Sequence, residues 1–128
     1  MLQSKFIADI LELLLDGDDA GILKRQVPYL SDAEYDYTIS GVFVSFSHAA
    51  GIEQHRLDTG RLVLDGVTIE SDIIPSGATA TLFIKDGLID FLEIWSHADT
   101  YPGNVLKTYT LTQVWKGSKG RKLTVGYT

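Results

Sequence analysis

The 128-residue chain contains no cysteine. That excludes thiol nucleophiles, cysteine-bound zinc and disulfide scaffolding together, and it fits a reducing compartment. Long apolar runs are also missing. The most leucine-rich stretch, MLQSKFIADILELLLDGDD, is broken by Asp9 and Glu12, so neither a secretory signal nor a membrane span is expected. The chain reads as a cytoplasmic, soluble protein with no membrane partner. No GxSxG element is present, and SGATA at Ser76 to Ala80 lacks the lysine and following helix of a phosphate loop. It reads as a turn into a strand. DGDD at Asp16 to Asp19 lacks the alternating oxygen ligands and distant glutamate of a calcium loop, and reads as a helix stop and cap.

What is abundant is negative charge, unevenly spread. All seventeen acidic residues fall within residues 1–115, against seven Lys and Arg, a net charge of −10. The last thirteen residues carry Lys116, Lys119, Arg121 and Lys122. An acidic body disfavours phosphate backbones and steers basic partners, so a protein with a basic surface is the expected partner and nucleic acid is not. The basic tail is expected to be a solvated hairpin.

Hydrophobic periodicity organises the chain as one domain over residues 1–128, helical over 1–27 and sheet-forming over 33–128. Phe6, Ile7, Ile10, Leu11, Leu14 and Leu15 recur at helical spacing, predicting an amphipathic helix of about three to four turns with Ser4 as N-cap and Gly17 as stop. A short helix is expected around Ala20 to Gln26, ended by Pro28. Period-two alternation then takes over in AEYDYTI and GVFVSF. Asp65-Gly66 and Asp86-Gly87 each stand between strand-like runs and predict two hairpin turns. KGSKG predicts a third, between TYTLTQVW and RKLTVGYT. Helices first and strands after them predict an α+β fold, with two helices packed on a curved, mostly antiparallel sheet of six to eight strands. The irregular stretch HAAGIEQHRLDTG, His48 to Gly60, is the natural place for a functional loop.

Candidate chemistry concentrates in IDFLEIWSHADTYPG. Strand alternation from Leu88 puts Asp90 with Leu92 and Ile94 on one face, and Glu93 with Ile89, Phe91 and Trp95 on the other. Glu93 and His97 are the candidate acid–base pair, Asp99 the residue to orient the imidazole, and Tyr101 a ligand contact. The competing reading is a core strand running into a loop. His48, His55 and His97 can supply three imidazoles to a metal, but a spacing of seven between the first two is no metal signature; no metal and no cofactor are expected. Tyr35, Tyr37, Asp36, Trp95 and Tyr101 form an aromatic and acidic set suited to a basic protein surface.

The leucine-rich helix, DGD turn and ILKRQ segment over Leu11–Gln26, the glycine-led strand Gly41–Phe46, and LFIKDGLIDFLEIWSHADTYP over Leu82–Pro102 together resemble small uncharacterised bacterial proteins. Some of those are similar to immunity proteins of bacterial toxin systems. The resemblance implies a small α+β domain, carries no list of catalytic residues, and leans toward a non-enzymatic module that neutralises a basic toxin domain. Two alternatives remain open: a small enzyme or ligand binder using Glu93 and His97, and a structural subunit of a larger assembly.

Overall fold

A computed structural model describes residues 1–17 and 20–126. The first helix, α1, spans Lys5–Leu14, and the Ser4 hydroxyl accepts the Ile7 N–H at 3.3 Å as the predicted N-cap. Phe6, Ile7, Ile10, Leu11, Leu13 and Leu14 are all buried. The helix stops before the predicted Gly17 because its last turn is capped from the sheet. The Leu13 carbonyl accepts both the Gln113 amide at 3.0 Å and the Trp115 indole N–H at 3.1 Å, satisfying one of the oxygens that a helix end leaves open. Gly17 serves packing instead: a Cβ there would sit 3.3 Å from the Trp115 ring. The cap predicted at Asp18 and Asp19 lies outside the described residues. A second helix, α2, spans Gly21–Gln26 and runs into a 3-10 turn at Val27–Tyr29 that contains Pro28.

Seven strands follow: β1 Leu30–Tyr37, β2 Gly41–His48, β3 Leu62–Ser71, β4 Ile74–Lys85, β5 Leu88–Ser96, β6 Tyr109–Gln113 and β7 Lys122–Val125. They form one sheet in the order β1-β2-β5-β4-β3-β6-β7, every pair antiparallel. This is the α+β fold that the pattern predicts. No described helix is long and apolar enough to cross a membrane.

Of the two Asp-Gly signals, only one is a turn. Asp86 and Gly87 have φ of 53° and 76° and join β4 to β5, the double positive φ of a tight hairpin. Asp65-Gly66 instead lies inside β3, where the register against β4 shifts between Asp65 and Val67. Gly66 has φ 106°, and a Cβ on it would lie 2.5 Å from the Trp115 Cβ. The dipeptide reports a backbone that needs positive φ, which a bulge needs as much as a turn does. The β3–β4 turn is at Asp72 and Ile73, and Ser76 to Ala80 falls within β4 rather than before it. KGSKG connects β6 to β7 as predicted.

A second bulge corrects the register of β5. Phe83 pairs with Phe91 but Ile84 pairs with Ile89, leaving Asp90 without an opposite residue. Ile89 therefore turns inward with Leu92 and Ile94, all fully buried. The strict alternation predicted from Leu88 fails at this one residue and holds from Phe91 onward.

The sheet curls around α1. Five strand spacings separate β1 from β6, roughly 24 Å if the sheet were flat. Yet Asp32 of β1 accepts the Gln3 and Ser4 N–H groups at 2.7 and 3.2 Å, while Tyr109 of β6 donates to Asp9 at 2.8 Å and packs its ring 4.7 Å from that of Phe6. Opposite flanks of the sheet thus meet the same few residues of one helix. Val42, Val44, Ile69, Ala80, Leu82, Leu92, Ile94 and Leu111 line this concave side and are buried.

Asp32 is the clamp at the start of α1. Burial pushes its carboxyl up, but hydrogen bonds from the Gln3 N–H, the Tyr35 hydroxyl and the Ser4 N–H outweigh burial and hold it below the ordinary value. Its stabilising effect is therefore complete above the unfolded-chain pKa of about 3.9 and is lost as pH falls through the lower folded value. Asp32→Asn is expected to cost about 1–3 kcal/mol at neutral pH, and its stability should fall less steeply on acidification; urea titrations from neutral to acid pH measure both. Gly66→Ala should cost on the order of 1–3 kcal/mol through the strained φ alone, seen in the same titration.

Candidate functional site

The face of the sheet turned away from the helices has no covering element among the described residues, and strand alternation determines what it displays. One rung across five strands pairs Asp65 with Thr81, Thr81 with Glu93, Glu93 with Phe43 and Phe43 with Asp36. The next rung carries Val63, Phe83, Phe91, Ser45 and Glu34. Beyond Glu93 in the other direction stand Thr79 and Trp95, whose partner on β2 is Gly41. Phe83 and Phe91 stack with ring centroids 4.4 Å apart and planes 9° off parallel, and Phe43 tilts against Phe91 at 6.1 Å. Trp95 is 54% exposed and Val63 56%. The result is a band of aromatic rings edged by Glu34, Asp36 and Asp65, with Glu93 standing among the rings. Lys85 and Lys122 lie only toward its ends, on the strands given above.

The predicted binding set divides between the two faces. Asp36 and Trp95 belong to the open face. Tyr35 and Tyr37 pair with Val44 and Val42 on the concave side, where Tyr35, Tyr37 and Tyr101 stack in a row at 6.1 and 6.5 Å. Burial, and then the bond to Asp32, raises the Tyr35 phenol; burial also raises Tyr37, and burial with the nearby Tyr37 raises Tyr101. Tyr101 is 4% exposed and its hydroxyl has no hydrogen-bond partner among the described residues. This row extends the core past the helices.

The candidate catalytic residues are not joined to one another. His97 has both ring nitrogens engaged, Nδ1 with the Ser76 carbonyl at 3.0 Å and Nε2 with the Thr79 hydroxyl at 2.7 Å. A carbonyl only accepts, so Nδ1 carries the proton and Nε2 accepts from Thr79. Asp99 receives the Ser76 hydroxyl at 2.6 Å and its N–H at 2.8 Å, which hold its carboxyl below the ordinary value. His97 and Asp99 thus fasten the end of β5 to the start of β4. Glu93 makes neither a hydrogen bond nor an ion pair among the described residues. It stands one rung from Thr79, the residue that His97 grips.

The three histidines are likewise apart. His48 Nε2 meets the Ile89 carbonyl at 2.6 Å, His55 packs on Tyr29 at 5.5 Å between ring centroids, and His97 lies at the β4–β5 end just described. Among the described residues, no three His, Asp or Glu side chains are gathered as a metal site. The described residues border clefts on two sides of the molecule. One of about 540 Å³ is bordered by Glu70, Ser71, Asp72, Pro75 and Thr110; another of about 620 Å³ lies beside Leu14, Leu23, Leu64, Trp115, Lys116 and Lys119. Neither is lined by Glu93 or His97.

The phenylalanines of the open face were absent from the predicted site. Their signal was present: GVFVSF is apolar at both alternating positions, and a sheet with a single helical layer can cover only one of them. The latch on His97 predicts that the ring proton sits on Nδ1 rather than Nε2, measurable from its ring nitrogen NMR shifts. Thr79→Val should weaken that preference without unfolding the protein, because the Ser76 carbonyl still accepts from Nδ1. The chain matches no protein-family model, no curated protein and no solved structure.

Proposed function

We propose that the protein is a non-enzymatic binding module whose open sheet face docks a protein with a basic surface, in the manner of an immunity-type protein covering a toxin domain. The observation that carries this reading is the composition of that face. Four aromatic rings, at Phe43, Phe83, Phe91 and Trp95, lie within a border of carboxylates. Interface cores favour aromatic side chains, and a rim of one charge sign selects a partner of the other. The charge of the body supports it: at −10 over residues 1–115, a cationic surface is attracted before contact, which raises the association rate and makes it salt-sensitive.

The small-enzyme reading is supported less well, because the imidazole it requires is held at both nitrogens and Glu93 is not bonded to it.

The test is co-expression with each neighbouring gene product, followed by binding kinetics on any complex formed. A basic partner is expected to bind with an association rate that falls roughly tenfold or more between about 50 and about 300 mM salt. Trp95→Ala combined with Asp36→Lys should weaken the complex by at least tenfold, an effect of about 1.4 kcal/mol. Replacing Arg25, exposed on α2, by Ala should leave it unchanged. Absence of any basic partner, or affinity indifferent to the open-face substitutions, would overturn the proposal.

A further inference from the structure

Glu93 occupies an unusual place on the open face. Its cross-strand neighbours are Phe43 on β2 and Thr81 on β4, each about 5 Å away between Cβ atoms. Its own strand places Phe91 and Trp95 two residues to either side on the same face, about 7 Å off. Three of the four residues around this carboxylate are therefore aromatic, and the fourth is a short hydroxyl. No cation of the described chain pairs with it: the four ion pairs use Asp9, Asp16 and Glu12. The indole of Trp95 is left open because its partner on β2 is Gly41, where a Cβ would collide with the Ile94 carbonyl. Only glycine fits there, so no β2 side chain stands opposite Trp95, which is 54% exposed.

A carboxylate with aromatic neighbours on three sides matches a guanidinium more closely than it matches an ammonium. The planar guanidinium offers paired N–H donors to a carboxylate while its faces stack on aromatic rings. An ammonium is a compact and strongly hydrated charge that gains less from the rings and gives up more water. Asp36 and Asp65 stand in the same rung, two strands to either side of Glu93, and add negative potential without crowding it.

We infer that Glu93, with Phe43, Phe91 and Trp95, is a socket for a single arginine side chain of the docked partner. The inference rests on the docking reading of the same face and names the residue type that the face selects. An arginine-bearing surface is bound, and its lysine equivalent is discriminated against.

The experiment is NMR titration of the isotope-labelled protein with two blocked tripeptides, Gly-Arg-Gly and Gly-Lys-Gly, each with acetyl and amide ends. The arginine peptide is expected to shift the Trp95 indole N–H and the Phe43 and Glu93 amides saturably, leaving the Trp115 indole N–H in place as an internal control. The lysine peptide should bind several-fold more weakly, and Glu93→Gln should remove the saturable shift while the rest of the spectrum stays that of the folded protein. Equal response to both peptides, shifts centred elsewhere, or saturation that survives Glu93→Gln would overturn the socket. A basic protein whose binding is lost with Trp95→Ala and Asp36→Lys but unaffected by Glu93→Gln would sink the socket and leave the docking face standing. Peptide binding at Glu93 without any partner protein on the face would do the reverse.

Discussion

The structure depends on a mismatch of sizes: one ten-residue helix must cover a seven-stranded sheet. The helix is about 15 Å long, whereas a flat sheet of that order would be close to twice as wide. Burial is achieved by curling the sheet, so that β1 and β6 both reach α1, and by adding α2 at the β4–β5 hairpin and the tyrosine row along β1. A curled sheet has one enclosed face. The opposite face is left to its own side chains, and its chemistry follows from the same alternation that builds the core.

Two buried glutamines hold the parts in place where the apolar core cannot. Gln26, fully buried, donates to the His55 and Gly87 carbonyls and accepts the Ile89 N–H. It thereby ties α2, the loop after β2 and the β4–β5 hairpin at one point. Gln113 donates to Leu13 and Asp16 and accepts the Arg121 N–H, fastening the end of α1 to the β6–β7 hairpin. The hydrogen bonds from Gln113 and then Arg121 hold the Asp16 carboxyl below its ordinary value. The basic terminal hairpin is therefore attached to the acidic body through Arg121, whose guanidinium lies 3.2 Å from Asp16 and 3.6 Å from Glu12. Each buried amide has partners for both its donor and its acceptor, which is the condition for a polar group in a core to stabilise it.

Much of this was legible in the residues. Helical spacing marked α1 and its Ser4 cap, and strand-like patterning marked the sheet, although β3 read as two strands joined by a turn. What failed did so for physical reasons that local pattern does not contain. Asp65-Gly66 carries the chemistry of positive φ, and only its pairing with β4 and the approach of Trp115, just past β6, show that it is a bulge. Asp90 looks like one more alternating residue, because only the pairing of β5 with β4 reveals that it is the extra residue of a bulge. Tyr35 and Asp36 adjoin in sequence and read as one aromatic and acidic surface, but adjacency on a strand places them on opposite faces. His97 and Asp99 drew notice as reactive groups, and their partners Ser76 and Thr79 lie some twenty residues away. The three phenylalanines were readable only by asking which face of the sheet the helices would leave bare.

The central claim is that the bare face is where the protein meets its partner. The chain's two tryptophans make a direct test, since Trp95 lies open on that face and Trp115 is bonded to the end of α1. Oxidative footprinting of the complex with a basic partner, read by mass spectrometry at both residues, compares them within one molecule. The account predicts that Trp95, Phe91 and Phe43 become protected while Trp115 and Tyr29 oxidise as in the free protein. Protection at Trp115 or Tyr29 with Trp95 unchanged would contradict it.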